Sequence, residues 1–232
     1  EPARDAASSA LCWRIACAVW YLTQLVALRK RVRGLEIAAE EATGQFSRII
    51  RHLLNIVPQL NDSIDDPQIA GRMVALYSFM QGKELVGQER ALGALGFARG
   101  QFSDELRQQL VDRIDGQQPC FDTFQALASS PQTVLFVEQC QAGLEIEQLR
   151  RVACTRQPPP DEGETALRWF CVQTQRLEQL RGVEERLIAD LLNAADALLE
   201  GDDREVQVPP ADWQEDGIAL RLDKQLLPLV RQ

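Results

Sequence analysis

One arginine of this sequence has the surroundings expected of a small-anion site. Arg90 lies on a mostly apolar helical face made of Phe79, Lys83, Val86, Arg90, Gly93 and Phe97. The residues three and four positions away from Arg90 are not acidic, so it has no ion-pair partner within its own helix. A semi-buried guanidinium is costly unless an anion neutralises it, and its planar fork of donors suits a planar oxyanion. Two other arrangements are open: a carboxylate from another helix, or extension of Arg90 into solvent.

The same helix carries a stripe of small residues, which indicates close packing. The stripe consists of Gly87, Ala91, Ala94 and Ala98. We expect it to let a neighbouring helix approach closely. Gly93 and Gly96 each cost about 1 kcal/mol relative to Ala within a helix. A helix that keeps both therefore has a packing or functional reason to do so.

Helical periodicity extends over nearly the whole chain, without a convincing alternating strand. Asp66-Pro67 and Ser130-Pro131 have the cap and first-turn residues of helix starts, and Ser103 opens another helix. Long helices joined by short connectors predict an all-α fold, an up-and-down antiparallel bundle. The predicted helices cover about 9–41, 44–60, 67–98, 103–128 with a weak point at Gly116, 130–156 and 165–199.

Composition and motifs exclude several classes of function. The net charge of −9 repels nucleic acid from the molecule as a whole, although a small anion can still bind in a local cationic pocket. The sequence has no C-x-x-C pair, no G-x-x-x-x-G-K loop and a single histidine, His52, without a nucleophile and orienting acid nearby. We therefore predict no metal, no cofactor and no enzymatic activity. The six cysteines are expected to be reduced and mostly buried.

The segment from Ile15 to Leu28 contains no charged residue and requires a membrane check. A spanning helix needs about 20 apolar residues, and this run is shorter. A secretory signal would place its positive charges before the apolar run, whereas Arg29 to Arg33 follow it. We interpret the segment as a buried core helix and expect no membrane partner.

Three patches of the sequence together resemble the nitrate- and nitrite-sensing domain of bacterial regulators. They are Gln88-Glu89-Arg90 with Phe97-Ala98 after it, Leu149-Arg150-Arg151, and Trp169-Phe170 with Thr174 and Arg176-Leu177-Glu178. The resemblance covers about residues 44–199 and is strongest to nitrate-responsive transcription antiterminators, whose sensor precedes an RNA-binding (ANTAR) domain. Nothing before residue 45 reproduces the family's first arginine-containing helix, and Leu28-Arg29-Lys30 is the nearest segment.

The resemblance implies that Arg90 and one arginine of the Leu-Arg-Arg patch contact the anion. Arg151 has Glu147 four residues before it, the favourable orientation for an intrahelical pair. We therefore favour Arg150 for the ligand and assign Arg151 to surface pairing. The full candidate set for nitrate is Arg90, Arg150, Arg151, Lys83 and Arg176.

The predicted organisation is a sensing bundle over residues 1–200, best supported over 44–199. Residues 201–232 would form a linker and the start of a helix leading to an output domain that this chain lacks. The reduced cysteines indicate a cytoplasmic protein. The resemblance implies a regulator, expected to be a homodimer, that binds nitrate or nitrite and reaches RNA only through its output domain. The alternative is a helical adaptor or dimerisation module without a ligand.

Overall fold

The structure, a computed structural model, describes residues 2–155 and 162–201. All the regular structure in these two ranges is helical, which confirms the predicted all-α fold. Frequent Leu, Ala, Glu, Gln and Arg favour this conformation. The helices are α1 (Pro2–Thr23), α2 (Leu25–Arg33), α3 (Ala39–Leu54), α4 (Ile56–Asn61), α5 (Pro67–Ala98), α6 (Asp104–Asp115), α7 (Gln117–Leu127), α8 (Ser130–Gln139), α9 (Leu144–Cys154) and α10 (Glu162–Gly201).

The chain divides into two compact units, Glu1–Ala195 and Asp196–Gln232. All the contacts given below belong to the first unit. Of the second unit, the structure describes the end of α10. The predicted linker and output-leading helix lie almost entirely outside the described residues.

Local sequence signals set both ends of α5 and the start of α6. The Asp66 side chain accepts hydrogen bonds from the backbone N–H of Gln68 at 2.8 Å and of Ile69 at 2.9 Å. Beyond the end of α5, Gly100 has a φ of 66°, a left-handed conformation that glycine adopts without strain. Ser103 then caps α6 by accepting from the Leu106 N–H at 3.1 Å. The predicted limits of α5 are thus confirmed.

Three predicted helices are interrupted. The segment 9–41 breaks at Gln24 and again after Arg33, where Leu35 has a φ of 54°, and 44–60 breaks at Asn55. The segment 130–156 breaks between α8 and α9, before Gly143. Its N-cap is Ser129, one residue earlier than predicted. The helical periodicity of apolar residues does not reveal these breaks, because the helices before and after each break both bury apolar residues.

The order of contacts along α5 shows that its neighbours run antiparallel to it. Toward α10, Arg72 contacts Asp190, Lys83 contacts Glu184 and Arg90 contacts Thr174. Toward α7, Phe79 packs on Phe124 and Glu89 bonds Gln117. Against α10, Gln132 of α8 bonds Asp190 and Cys140 bonds Arg176. The segments α5, α6–α7, α8–α9 and α10 therefore form the predicted up-and-down bundle.

The bundle contains two separate hydrophobic clusters. One surrounds Phe79 and includes Phe121, Phe124, Phe136, Cys140 and Leu180. The other surrounds Trp169 and includes Phe97, Leu110, Leu149 and Ala153. Along α5 the buried residues of the first cluster end at Val86, and the partly buried Leu92 is the first residue that packs against the second. The residues between these positions include Glu89, a fully buried carboxylate.

The predicted stripe of small residues is wrong, because a different face of α5 is buried. A Cβ at Gly87 would meet nothing within 4 Å, and Ala98 is exposed. The buried stripe has 4-3-4-3 spacing and consists of Gly82, Val86, Glu89, Gly93 and Gly96. Its glycines admit the rings of Phe121, Trp169 and Phe102, respectively. The packing reason predicted for Gly93 and Gly96 is confirmed, but the predicted stripe lies one residue C-terminal to the buried face.

The N-terminal apolar segment is not the buried core helix that was predicted. An 18-residue window within Ser9–Arg33 has a mean hydropathy of 1.5 and is 11% buried, so by length and composition alone this segment could cross a membrane. Its buried residues are Ala18 and Leu28, whereas Val19, Trp20 and Val26 are exposed. The segment packs against α3 and α4 on the outside of the bundle through one narrow face.

The cysteines are free thiols, but most of them are not buried. Cys140 is fully buried, whereas Cys12 and Cys171 are exposed and the other three are intermediate. Burial raises the pKa of the Cys140 thiol to about 11, so this group stays protonated at neutral pH.

Gly93 and Gly87 give a matched test of this packing. We expect Gly93→Ala to destabilise the fold by about 1–3 kcal/mol, because the new methyl group would overlap the Trp169 indole. Gly87→Ala should instead stabilise it by about 1 kcal/mol, since the methyl group enters open space and the helix gains propensity. Urea unfolding followed by circular dichroism measures both, and equal effects of the two substitutions would contradict the assigned packing.

Candidate anion-binding site

Arg90 lies on the face of α5 that packs against α10. Its Nη1 donates a hydrogen bond to Thr174 Oγ1 at 2.9 Å. Its guanidinium carbon lies 4.8 Å from the centroid of the Phe170 ring, within the range of a cation–π contact. Trp169 donates from Nε1 to the Arg90 carbonyl oxygen at 2.9 Å, which fixes the backbone at this turn. Arg90 is therefore held against residues 169–174 of α10, about one and a half turns of that helix.

Arg90 is partly buried without a carboxylate in contact. Within the described ranges, its hydrogen bond goes to a neutral hydroxyl, and no ion pair involves it. Burial lowers the pKa of Arg90, and the charge of Glu178 offsets this only in part. Of the arrangements left open by the sequence, a pair with a carboxylate of another described helix is not observed. Arg90 thus retains the donors and the charge that a small anion needs.

Glu89, the neighbour of Arg90 on α5, holds a second cluster in the bundle interior. Its carboxylate accepts from Arg150 Nε at 2.7 Å and from Arg150 Nη2 at 2.8 Å. It also accepts from Gln117 Nε2 at 2.6 Å and from Gln173 Nε2 at 2.7 Å. Four donors fill the acceptor positions of the two oxygens. We call Glu89, Gln117, Arg150, Gln173 and Arg176 the Glu89 cluster.

Arg176 completes this cluster as its least neutralised member. It is 6% exposed, donates from Nε to the Cys140 carbonyl at 3.2 Å and from Nη1 to Gln117 Oε1 at 3.2 Å. Its approach to the Glu89 carboxylate is longer, 3.8 Å. Burial, and then the charge of Arg150, lower the pKa of Arg176 to about 10, whereas Glu89 raises it. The buried Arg176 and the largely buried Arg150 therefore share one buried anion, Glu89.

Arg150 is the more tightly paired of the two arginines. Burial lowers its pKa, but the hydrogen bonds and charge of Glu89 outweigh that effect and leave the pKa raised. A further bond joins Arg150 Nη1 to Glu147 Oε1 at 2.7 Å. The expected pairing of Glu147 with Arg151 is thus wrong: Arg151 is exposed, and Glu147 bonds the largely buried Arg150 instead.

The five predicted residues do not meet at one point. Arg150 and Arg176 share Glu89 and Gln117, while Arg90 contacts Thr174 and Phe170 instead. Lys83 pairs with Glu184, so its charge is already neutralised. The exposed Arg151 lies outside both groups.

Sequence reasoning missed three members of the Glu89 cluster: Glu89 itself, Gln117 and Gln173. The signal for Glu89 was its place on the buried stripe, three residues from Val86 and four from Gly93. Gln117 and Gln173 had no such signal, because they lie 28 and 84 residues away from Glu89. Within residues 2–155 and 162–201, no group of His, Cys, Asp or Glu side chains could hold a metal ion.

The comparisons with known proteins show the family of the chain. The family model described as nitrate and nitrite sensing matches residues 1–192, and the chain belongs to this family. The match includes the N-terminal region in which no family pattern was recognised from the residues.

Two regulators are similar to the chain over its whole length. It is 91% identical over 232 residues to the nitrate regulatory protein of Klebsiella oxytoca. It matches the solved structure of the NasR transcription antiterminator with 87% identity and a TM-score of 0.81. In each case the chain spans 59% of the relative's length.

Arg150 and Arg151 test the assignment of buried and exposed arginines. Arg150→Ala should destabilise the fold by about 3–5 kcal/mol, because it leaves the Glu89 carboxylate buried without its bidentate partner. Arg151→Ala should change the free energy of unfolding by less than about 0.5 kcal/mol, as expected for an exposed residue. Chemical denaturation measures both, and a small effect of Arg150→Ala would contradict the geometry of the cluster.

Proposed function

We propose that this chain is the nitrate- or nitrite-sensing part of a cytoplasmic regulator that signals to an antitermination output acting on RNA. Membership of the nitrate and nitrite sensing family supports nitrate or nitrite as the ligand. The names of the two relatives, a nitrate regulatory protein and a transcription antiterminator, support the regulatory role and agree with the prediction that the chain is not an enzyme.

The observation that carries the proposal is the state of Arg90. Its guanidinium is withdrawn from solvent in part, bonded to a hydroxyl and not to a carboxylate. A planar oxyanion would supply the missing charge and accept two donors of the fork. We assign Arg90 as the primary contact, with Arg150 and Arg176 as the further arginines of the site.

Sensing in this proposal is differential binding. A ligand shifts an equilibrium between two helix arrangements only as far as its affinities for them differ. Arg90 bonds to α10 in the described arrangement, so an anion that takes up its donors changes the contact between α5 and α10. Such a change is a means of passing ligand occupancy along the bundle.

We include a homodimer in the proposal. The observation that favours a homodimer would equally favour the alternative, a ligand-free adaptor or dimerisation module. The observation in favour of association is the exposed apolar side of α1 and α2, with Val19, Trp20 and Val26. Exposed apolar patches of this kind mark interaction surfaces. Light scattering determines the oligomeric state, and nitrate binding separates the sensor from the adaptor.

Nitrate binding should depend on the guanidinium of Arg90. A ligand that binds only the native state stabilises it by about 2.7 kcal/mol at a hundredfold excess over Kd. We expect nitrate to raise the Tm of the chain relative to chloride at equal ionic strength, and Arg90→Ala to abolish the rise while helical content stays unchanged. Arg90→Lys should also fail, because an ammonium group lacks the bidentate fork.

Arg181→Ala is the control, since Arg181 is an exposed arginine on α10 paired with Glu185. It should retain the full effect of nitrate. Identical Tm values in nitrate and chloride for the unmodified chain would remove the main support for sensing. Full affinity in Arg90→Ala would place the site elsewhere.

RNA should not bind to this chain alone at physiological salt. Nucleic-acid affinity depends mainly on neutralising phosphates, and the chain has a net charge of −9. Its basic run ends α2, where Arg31 pairs with Glu41. Filter binding with a structured leader RNA, at low and physiological salt, measures this. Retention that is sequence-selective and nitrate-dependent would show that these 232 residues contain the output function.

A further inference from the structure

The Glu89 cluster has the geometry of a planar-oxyanion site that the protein itself occupies. A carboxylate and nitrate share a planar, delocalised arrangement of negatively charged oxygens. Arg150 presents Nε and Nη2 to the two Glu89 oxygens at 2.7 and 2.8 Å, which is the bidentate mode by which arginine binds such anions. The amides of Gln117 and Gln173 direct two further N–H donors to the same oxygens.

The cluster also carries an excess of positive charge. Arg150 and Arg176 are 13% and 7% exposed at their side chains, and Glu89 is the carboxylate enclosed with them. Glu147, the other carboxylate on Arg150, is 51% exposed and contacts the outer side of the guanidinium. The interior of the cluster is therefore electrostatically favourable for an anion of one negative charge.

We propose that Glu89 is an internal stand-in for the ligand, and that nitrate or nitrite binds to Arg150 by displacing the Glu89 carboxylate. The inference rests on the proposed nitrate-sensing function and names the switching event at that site. Arg90 adjoins Glu89 on α5, and its partner Thr174 adjoins Gln173 on α10. An anion bound at Arg90 is thus next to the Glu89 cluster, at the same height along the bundle axis.

Displacement would change how the helices are joined. Glu89 is tethered to α5, so its four hydrogen bonds tie α5 to α7, α9 and α10 at once. A free anion neutralises the same arginine without connecting it to α5. The liganded and unliganded states therefore differ in the attachment of one helix to three others, a bistable element that a ligand can bias.

Glu89→Gln tests the displacement directly in this 232-residue chain. The amide keeps the size of the side chain but holds the guanidinium less strongly than a carboxylate does. We expect calorimetric titration with sodium nitrate, against sodium chloride at equal ionic strength, to show at least tenfold tighter binding than in the unmodified chain. Glu147→Gln is the matched control, because it removes the exposed carboxylate from the same arginine, and its affinity should stay within twofold.

Two results for a folded Glu89→Gln protein would overturn the proposal. Unchanged affinity means that the anion does not compete with Glu89, and weaker affinity makes Glu89 a positioning residue for Arg150. In either case, nitrate binding that Arg90→Ala abolishes would leave the proposed function intact. No nitrate binding in the unmodified chain and in every variant would refute the proposed function itself.

If Glu89→Gln does not fold in chloride, rescue by added anions provides the test. Nitrate and formate are planar and should restore helical circular dichroism, whereas sulfate is tetrahedral and should not at equal ionic strength. Rescue by the planar anions supports an oxyanion site at the position of the carboxylate. Failure of both planar anions, or equal rescue by sulfate, would overturn the proposal.

Discussion

The buried Glu89 carboxylate is the constraint on which the arrangement of the bundle depends. It lies between two hydrophobic clusters and accepts from side chains of three other helices. A slip of one helix by a turn, about 5.4 Å, would break these bonds and bury a charge without partners. Apolar packing alone tolerates such a slip far better, so this polar level fixes the register of the four bundle segments.

Glu89 and Arg90 are adjacent on α5, but within the described residues only the charge of Glu89 is neutralised by ion pairs, because the two side chains point to different faces of the helix. Glu89 turns into the bundle and is saturated with donors, whereas Arg90 turns toward α10 and bonds a hydroxyl. The same division separates Arg150, whose pKa is raised by Glu89 despite burial, from the exposed Arg151. Charge type alone therefore does not show which arginines are paired with a buried carboxylate, and the angle around each helix axis decides this.

Local chemistry was readable from the sequence, and long-range pairing was not. The cap at Asp66 and the start at Ser103 depend on residues within three positions, so α5 and α6 were placed correctly. The choice of Glu147 between Arg150 and Arg151 depends on burial by other helices, and the i,i+4 rule failed there. The partners of Glu89 lie 28 to 84 residues away, a distance at which one sequence carries no pairing information. The prediction of a buried core helix at α1–α2 was wrong for another reason: the composition is that of a core helix, but few of its residues are buried.

The hydrogen bond from Trp169 to the Arg90 carbonyl makes tryptophan fluorescence sensitive to the contact between α5 and α10. Its indole is fully buried against Gly93, while Trp13 and Trp20 are exposed on α1. Indole emission shifts to shorter wavelength in apolar surroundings. Among the tryptophans of the described residues, Trp169 therefore emits at shorter wavelength than the exposed Trp13 and Trp20. Movement of α10 relative to α5 would alter the surroundings of the Trp169 indole, and with them its emission. The chain thus contains its own optical probe at the turn that carries Arg90.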